Sequence, residues 1–198
     1  INDFGSANDF EHLSVQGKKV NRLTPSGTVA NVESKSFRAH DFDETANKAL
    51  PPDQEPRQDI EVRKGDLLFS RKNTHELVAA AAYVYNSRPK LMLSDLIFRL
   101  RLKPGANVEA LFLWRLLIDP HQRQTIQKLA GGAAGSMPNI SKAKLSEMRL
   151  ILPPLSLQRR FAAIVEGVER QRIRMRAHGA ELDALFASLQ SRAFDGEL

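Results

Sequence analysis

The sequence predicts an α+β fold: a mixed α/β head over residues 1–155, followed by a long C-terminal coiled-coil helix over residues 156–198. Three observations carry that prediction. Leu96, Phe98, Leu100 and Leu102 alternate with Ile97, Arg99, Arg101 and Lys103, the period of two that marks a strand with an apolar ridge. A dense apolar stretch from Val108 to Ile118 has helical spacing and runs into Asp119-Pro120, a cap and first-turn proline for a second helix. Phe161, Val168, Met175, Leu182 and Leu189 recur every seven residues, with no proline between Leu157 and Ala193.

Taken in order, the first fifty-odd residues are polar and broken by Gly5, Gly17, Pro25, Gly27 and Pro51-Pro52, the pattern of short strands and long loops. Lys64-Gly65-Asp66 is a turn that feeds a strand at Leu67–Ser70. The alanine- and valine-rich run Leu77–Tyr85, bounded by polar turns, reads as a strand. On the alternating strand the three cations share what should be a largely solvated face, and Arg99, nearest the strand's start, is singled out to meet a partner. Pro104-Gly105 ends that strand. The helix that starts at Pro120 is closed by Gly131 as a C-cap. Ser141 caps a short helix through Met148, Arg149–Leu152 is a last strand, and Pro153-Pro154 stops it.

In the tail, Ile164 and Leu185 add the second seam position of the seven-residue repeat, while Gln171 and His178 place polar groups there. Polar groups at such positions fix register. The 37 residues from Leu157 to Ala193 make a rod of roughly 55 Å, which cannot bury its own seam. Phe161, Ile164, Val168, Met175, Leu182, Leu185 and Leu189 are therefore expected to face a second helix, from another copy or from a further part of the same protein.

Composition narrows the function. The apolar share is 42%, enough to bury a core, and the net charge of +6 with a pI near 9.8 favours a polyanionic partner. Cysteine is absent, which excludes disulfides, thiolate metal sites and cysteine nucleophiles and suits a cytoplasmic setting. No run of eighteen apolar residues exists to span a membrane. Ile1 at the start, with no signal peptide ahead of it, reads as a trimmed fragment or a chain with a disordered start.

The stretch Gly131–Ser141, GGAAGSMPNIS, lacks the Lys-Ser/Thr that a phosphate-cradling loop needs, and it follows a helix where a dinucleotide fingerprint follows a strand. Asp53 with Glu61-Val62-Arg63 puts an arginine where a metal-dependent nuclease wants a lysine. His12, His40, His75, His121 and His178 are scattered, with no pair at metal-ligand spacing. No Asn/Asp-Pro-Pro-aromatic motif is present to hold a methylatable amino group. The expectation is a protein that is not an enzyme and takes no cofactor and no metal.

Four stretches then line up in order: GDLLFSRKNTHELV (Gly65–Val78), LMLSDLIFRLRL (Leu91–Leu102), GGAAGSMPNISKAKLSEMRLILPPLSLQRRF (Gly131–Phe161) and LFASLQSRAFDGEL (Leu185–Leu198). Together they resemble the specificity (S) subunit of type I restriction–modification systems. The resemblance implies a target recognition domain that reads half of a split sequence in double-stranded DNA. The long helix after it pairs with a counterpart and so spaces two such domains. Methylation and cleavage would fall to partners, namely methyltransferase (modification) subunits, with a restriction subunit as a further candidate.

Typical members carry two recognition domains and two helices, and this chain carries one of each. That departure leaves a half-sized subunit that self-associates through its helix, a fragment, or a one-domain relative; a recognition domain cut from a fused restriction–methylation enzyme, or a coiled-coil assembly protein with incidental charge, are the alternative readings. On the resemblance, GGAAGSMPNIS lies against DNA, its glycines (Gly135 among them) letting backbone approach phosphate, while Ser136, Asn139 and Ser141 donate hydrogen bonds. Ser70-Arg71-Lys72-Asn73-Thr74 enters a groove, with Arg71 suited to guanine and Asn73 to adenine. Ser94 and Arg99 join this DNA-facing set, and Lys142 and Lys144 meet phosphates.

Overall fold

The computed structural model describes residues 4–6, 10–13, 30–32, 37–38, 41–50, 56–131 and 137–196. It divides into two compact units, Ile1–Leu155 and Ser156–Leu198.

The described elements of the first unit begin with six short strands, β1 (Phe4–Ser6), β2 (Phe10–Leu13), β3 (Ala30–Val32), β4 (Phe37–Arg38), β5 (Asp41–Phe42) and β6 (Asn47–Ala49). After a 3-10 turn at Gln58–Ile60 come β7 (Leu67–Ser70), β8 (Ala81–Tyr83), β9 (Leu91–Met92) and β10 (Ile97–Leu102). Helices α1 (Ala110–Ile118), α2 (Pro120–Gln127) and α3 (Lys142–Ser146) come next, then β11 (Arg149–Ile151).

The central layer is an antiparallel sheet in the order β2-β10-β7-β8, with Ile97 opposite Ser70 and Leu100 opposite Leu67. A second sheet runs β6-β3-β9, its β3–β9 pair parallel, and two-stranded pairs join β1 to β11 and β4 to β5. Ile60, Val62, Leu68, Val84, Leu91, Leu93 and Ile97 are buried together in one core. Helix α1 covers β8 with Leu113, Trp114 and Leu117, all buried. Trp114 turns its Nε1 toward the Ala81 carbonyl at 3.4 Å and stacks edge-on against Tyr85, which satisfies its one polar atom inside the core.

Several local signals produce what they dictate. Gly65 takes a φ of +92° in the turn before β7, where a side chain would be strained, and Asp66 closes that turn by accepting from the Arg63 amide at 2.9 Å. The Asp119 side chain caps α2 by accepting from Gln122 N at 3.0 Å, with Pro120 in the first turn. Ser141 caps α3 by accepting from Lys144 N.

Other expectations are corrected. The run Leu77–Tyr85 is a strand only over Ala81–Tyr83; Leu77–Ala79 belong to turns, because Leu77 and Val78 both donate to the Thr74 carbonyl. Gly131 does not cap α2, which passes through turns at Lys128 and Leu129; its amide and carbonyl pair with Asn139 instead. The helix after Ser141 stops at Ser146, short of Met148.

Arg99 does not lie on a solvated face. Strand β10 is central in its sheet, and Ile97, Phe98, Arg99 and Leu100 are all buried, so both faces are covered. The Arg99 guanidinium lies 3.2 Å from Asp66 Oδ2 and donates to the Glu61 carbonyl at 2.6 Å. Burial pushes the Arg99 guanidinium below its usual value and the Asp66 carboxyl above its own, in each case against the pull of the opposite charge. Removing one member of a buried ion pair costs more than the intact pair contributes, because the other charge stays behind without its counterion. Asp66→Ala strands the guanidinium in this way and should lower the unfolding free energy by about 3 kcal/mol, read by urea denaturation. Asp66→Ala within about 0.5 kcal/mol of wild type would show that the carbonyls alone satisfy Arg99.

The second unit is built on one helix, α4 (Leu155–Phe194), of 40 residues and about 60 Å. Gln158, Ala162, Val165 and Glu169 along its first turns are buried. The seven-residue repeat occupies a different line. Val168 is 59% exposed, Met175 65% and Leu182 66%, with Phe161, Ile164, Leu185 and Leu189 exposed as well. Among the described residues, no helix is long and apolar enough to cross a membrane.

Candidate nucleic-acid interface

The loop that joins β7 to β8, residues 71–80, leaves the sheet at one end of the central strands. Its stem is closed by Ser70 N donating to Ala80 O at 2.8 Å and Ala79 N donating to Ser70 O at 2.9 Å. Ala79, fully buried, holds a left-handed φ of +61°, a conformation that costs a residue with a β-carbon about 1–2 kcal/mol. Strain of that kind persists only where surrounding bonds fix the chain.

Those bonds come from two sides. Asn73 N donates to Pro138 O at 3.3 Å and Ile140 N to Arg71 O at 2.8 Å, with Lys72 and Asn139 opposite one another in a short antiparallel bridge. Gly131 and Asn139 exchange two hydrogen bonds, of 3.0 and 2.9 Å, which pins the base of the glycine-rich segment to the same place. A β-carbon on Gly131 would come within 3.2 Å of Lys144 Nζ, so that ammonium lies over this pair. On the other side, α2 reaches the crest of the loop. Gln127 Nε2 donates to the carbonyls of His75 at 3.0 Å and Val78 at 3.2 Å, and Arg123 Nη2 donates to that of Glu76.

Within this frame the residues singled out from sequence differ in what they offer. Arg71 is half-buried. Its Nη1 donates to Asp95 O at 2.9 Å, its amide to Leu96 O at 3.0 Å, and its guanidinium carbon stands 5.1 Å from the Phe98 ring centroid. A guanidinium fixed over an aromatic face is held in one orientation. Lys72 is half-buried, Thr74 exposed, and Lys142 and Lys144 exposed.

Ser70 and Asn73 are buried and bonded to each other, Asn73 Nδ2 to Ser70 Oγ at 3.3 Å, while Asn73 Oδ1 accepts from Thr74 N at 2.9 Å. The amide is thus bonded back to its own loop rather than turned outward. Ser141 spends its oxygen on the cap of α3. Arg99 is enclosed with Asp66 and does not reach this surface. Gly135 and Ser136 lie outside the described residues.

Arg71 Nε, Ser94 Oγ and Asn139 Oδ1 are buried here without a hydrogen-bond partner. Met137, at the start of the 137–141 segment, is 41% exposed. Among the described residues, no group of three acidic or histidine side chains is close enough to hold a metal ion.

Sequence reasoning missed Arg123, Gln127, Asp95 and Phe98. The signal for the first two was present: α2 reads Pro-His-Gln-Arg-Gln-Thr-Ile-Gln and buries only Ile126, so its amides and guanidinium have to find partners elsewhere.

Comparison with known proteins gives one family. The family model described as type I restriction modification DNA specificity domain matches residues 13–180. The specificity subunit of the type I restriction enzyme EcoEI, from Escherichia coli, is 28% identical over 135 residues, which are 68% of this chain and 23% of that subunit. The chain is also similar in fold to two solved structures at 18% identity. One, from work on complex assembly and conformational transition of the type I R-M system, gives a TM-score of 0.57 over 99% of this chain and 46% of that one. The other, the HsdS subunit from Thermoanaerobacter tengcongensis, gives 0.54 over 99% and 45%. The chain thus spans less than half the length of the proteins it matches, and the α+β fold with a long terminal helix expected from sequence is borne out.

Proposed function

The chain belongs to the type I restriction modification DNA specificity domain family, and from that premise we propose that it is a non-catalytic, sequence-specific reader of double-stranded DNA. Its task is to direct methyltransferase and nuclease partners to a bipartite site in the cytoplasm. The observation that carries this reading is the union of the 71–74 loop with the 137–141 segment. Two stretches more than sixty residues apart, both assigned to DNA from sequence, are hydrogen-bonded into one surface bearing Arg71, Lys72 and Lys144.

In this reading Lys142 and Lys144, both exposed, meet phosphates and supply salt-sensitive affinity. Arg71, oriented by Phe98 and Asp95, addresses a base edge, and Lys72, Thr74, Ser94, Asn139 and Ser141 add hydrogen bonds around it. Ser70 and Asn73 serve by fixing the loop. Gly135 and Ser136 would complete the backbone approach to phosphate. Arg99, enclosed with its partner Asp66, is not among the DNA-facing residues.

The exposed seam of α4 is proposed to clasp the same seam of a second copy, so that two identical heads are presented together.

The test is a salt series. Lys142→Ala with Lys144→Ala should weaken binding to all duplexes alike and flatten the slope of log affinity against log salt by about 0.9 for each phosphate the variant no longer neutralises. An unchanged slope would remove both lysines from the interface, and an unbound wild-type chain at low salt would sink the reading itself.

A further inference from the structure

We propose that Arg123 and Gln127 are positioning residues for sequence reading. From α2 they set the conformation of the β7–β8 loop, and so where Arg71 points. The inference rests on the reading of that loop as DNA-facing.

The geometry behind it is one-sided. All three carbonyls that α2 engages, those of His75, Glu76 and Val78, belong to the crest of the loop, and the donors are 47 to 52 residues away in the chain. Helix α2 buries Ile126 and otherwise contributes polar side chains, so its role in the core is small beside that of α1. Arg123 is desolvated, which pulls its guanidinium below the usual value, yet it remains charged and gives the Glu76 carbonyl a charge-assisted bond.

Across the loop, Pro138 and Ile140 hold Asn73 and Arg71 through main-chain bonds. Directly after the second anchor comes Ala79 in its left-handed conformation, adjoining the Val78 carbonyl that Gln127 grips. With α2 released, the crest and the Ala79 strain can relax together, and the shift reaches Arg71 through the preceding residue, Ser70, whose carbonyl accepts from Ala79 N at 2.9 Å. A reading loop fixed in advance loses less entropy on binding and discriminates better, since a guanidinium displaced by an ångström no longer meets two acceptors at once.

The probe is the duplex most enriched when the wild-type chain selects from a random pool, compared with an unselected duplex of equal length. Gln127→Leu and Arg123→Met should each lower affinity for the enriched duplex about tenfold and leave affinity for the unselected duplex within about twofold; Arg123→Lys, which still donates to a carbonyl, should recover most of the loss. In an Arg71→Ala background the same substitutions should change little, because they act through that side chain. Equal losses on both duplexes, or full additivity with Arg71→Ala, would overturn the proposal.

Hydrogen exchange at the Leu77 and Val78 amides separates this from failure of the DNA reading. These amides donate to Thr74 within the crest and should exchange about tenfold faster or more in Gln127→Leu. Unchanged exchange overturns the brace whether or not DNA binds. Faster exchange in a chain whose wild type enriches no duplex would discard the DNA reading, and with it the proposed role of the brace in discrimination.

Discussion

Met175→Glu combined with Leu182→Glu should leave the protein monomeric at every concentration where the wild type pairs. Both side chains are about two-thirds exposed on the lone helix and sit in the first position of the seven-residue repeat. In a two-helix pair each is buried twice, once per copy. At about 1.5 kcal/mol or more for each side chain removed from water, four burials are worth at least ~6 kcal/mol, or about four powers of ten in the dissociation constant. Sedimentation equilibrium reads the loss directly. The expected effect on DNA exceeds the loss of one head, because two linked readers would gain from effective concentration, and the bipartite duplex should be bound on the order of 100-fold more weakly. Leu182→Ile, apolar and of the same volume, should keep the pair. A double glutamate variant that sediments like the wild type would mean that the seam is covered by something other than a second copy.

The second large effect is expected at Arg71. On the proposed reading its Ala variant would lose a two-pronged contact to a base edge, worth about 1–3 kcal/mol of discrimination, so affinity for the preferred duplex should fall by about 10- to 100-fold and preference at one base pair should relax. Arg71→Lys is the sharper variant. It keeps the charge and hence the salt slope, but a lysine has no fork and cannot be held over Phe98 with Nη1 on the Asp95 carbonyl. The base preference should disappear while binding to unselected DNA persists. A lysine variant with an intact preference would move base reading to other residues of the loop.

How much of this was legible in the sequence depends on how far apart the interacting residues are. Asp119 and Pro120 act on the helix they begin, Gly65 on its own turn, and the repeat from Phe161 to Leu189 on a single helix; each is a local instruction, and each was readable. Arg99 was misplaced because its partner is Asp66, 33 positions earlier (99 minus 66), and because alternation alone does not reveal that a central strand is covered on both faces. Gly131 looked like a helix cap because Asn139, the residue it pairs with, lies across a segment whose path no local rule supplies.

At the candidate site the residue types were legible and their roles were not. Arg71 and Asn73 look alike as side chains with two-pronged hydrogen-bonding ends, yet the structure turns the amide inward to shape the loop and holds the guanidinium over a ring at half exposure. That the 71–74 and 137–141 stretches meet at all depends on backbone bonds between Ile140 and Arg71 and between Asn73 and Pro138, which carry no sequence signature because any residue except proline can donate them.

The central claim is that two copies, joined along α4, present two identical heads to one duplex. Selection of bound duplexes from a random pool, with sequencing of those retained, tests it most directly. The account predicts two half-sites related by a twofold axis and separated by a gap of constant length, with the gap losing its fixed length in the chain carrying both Met175→Glu and Leu182→Glu. Enrichment of a single uninterrupted half-site by the wild-type chain would contradict it.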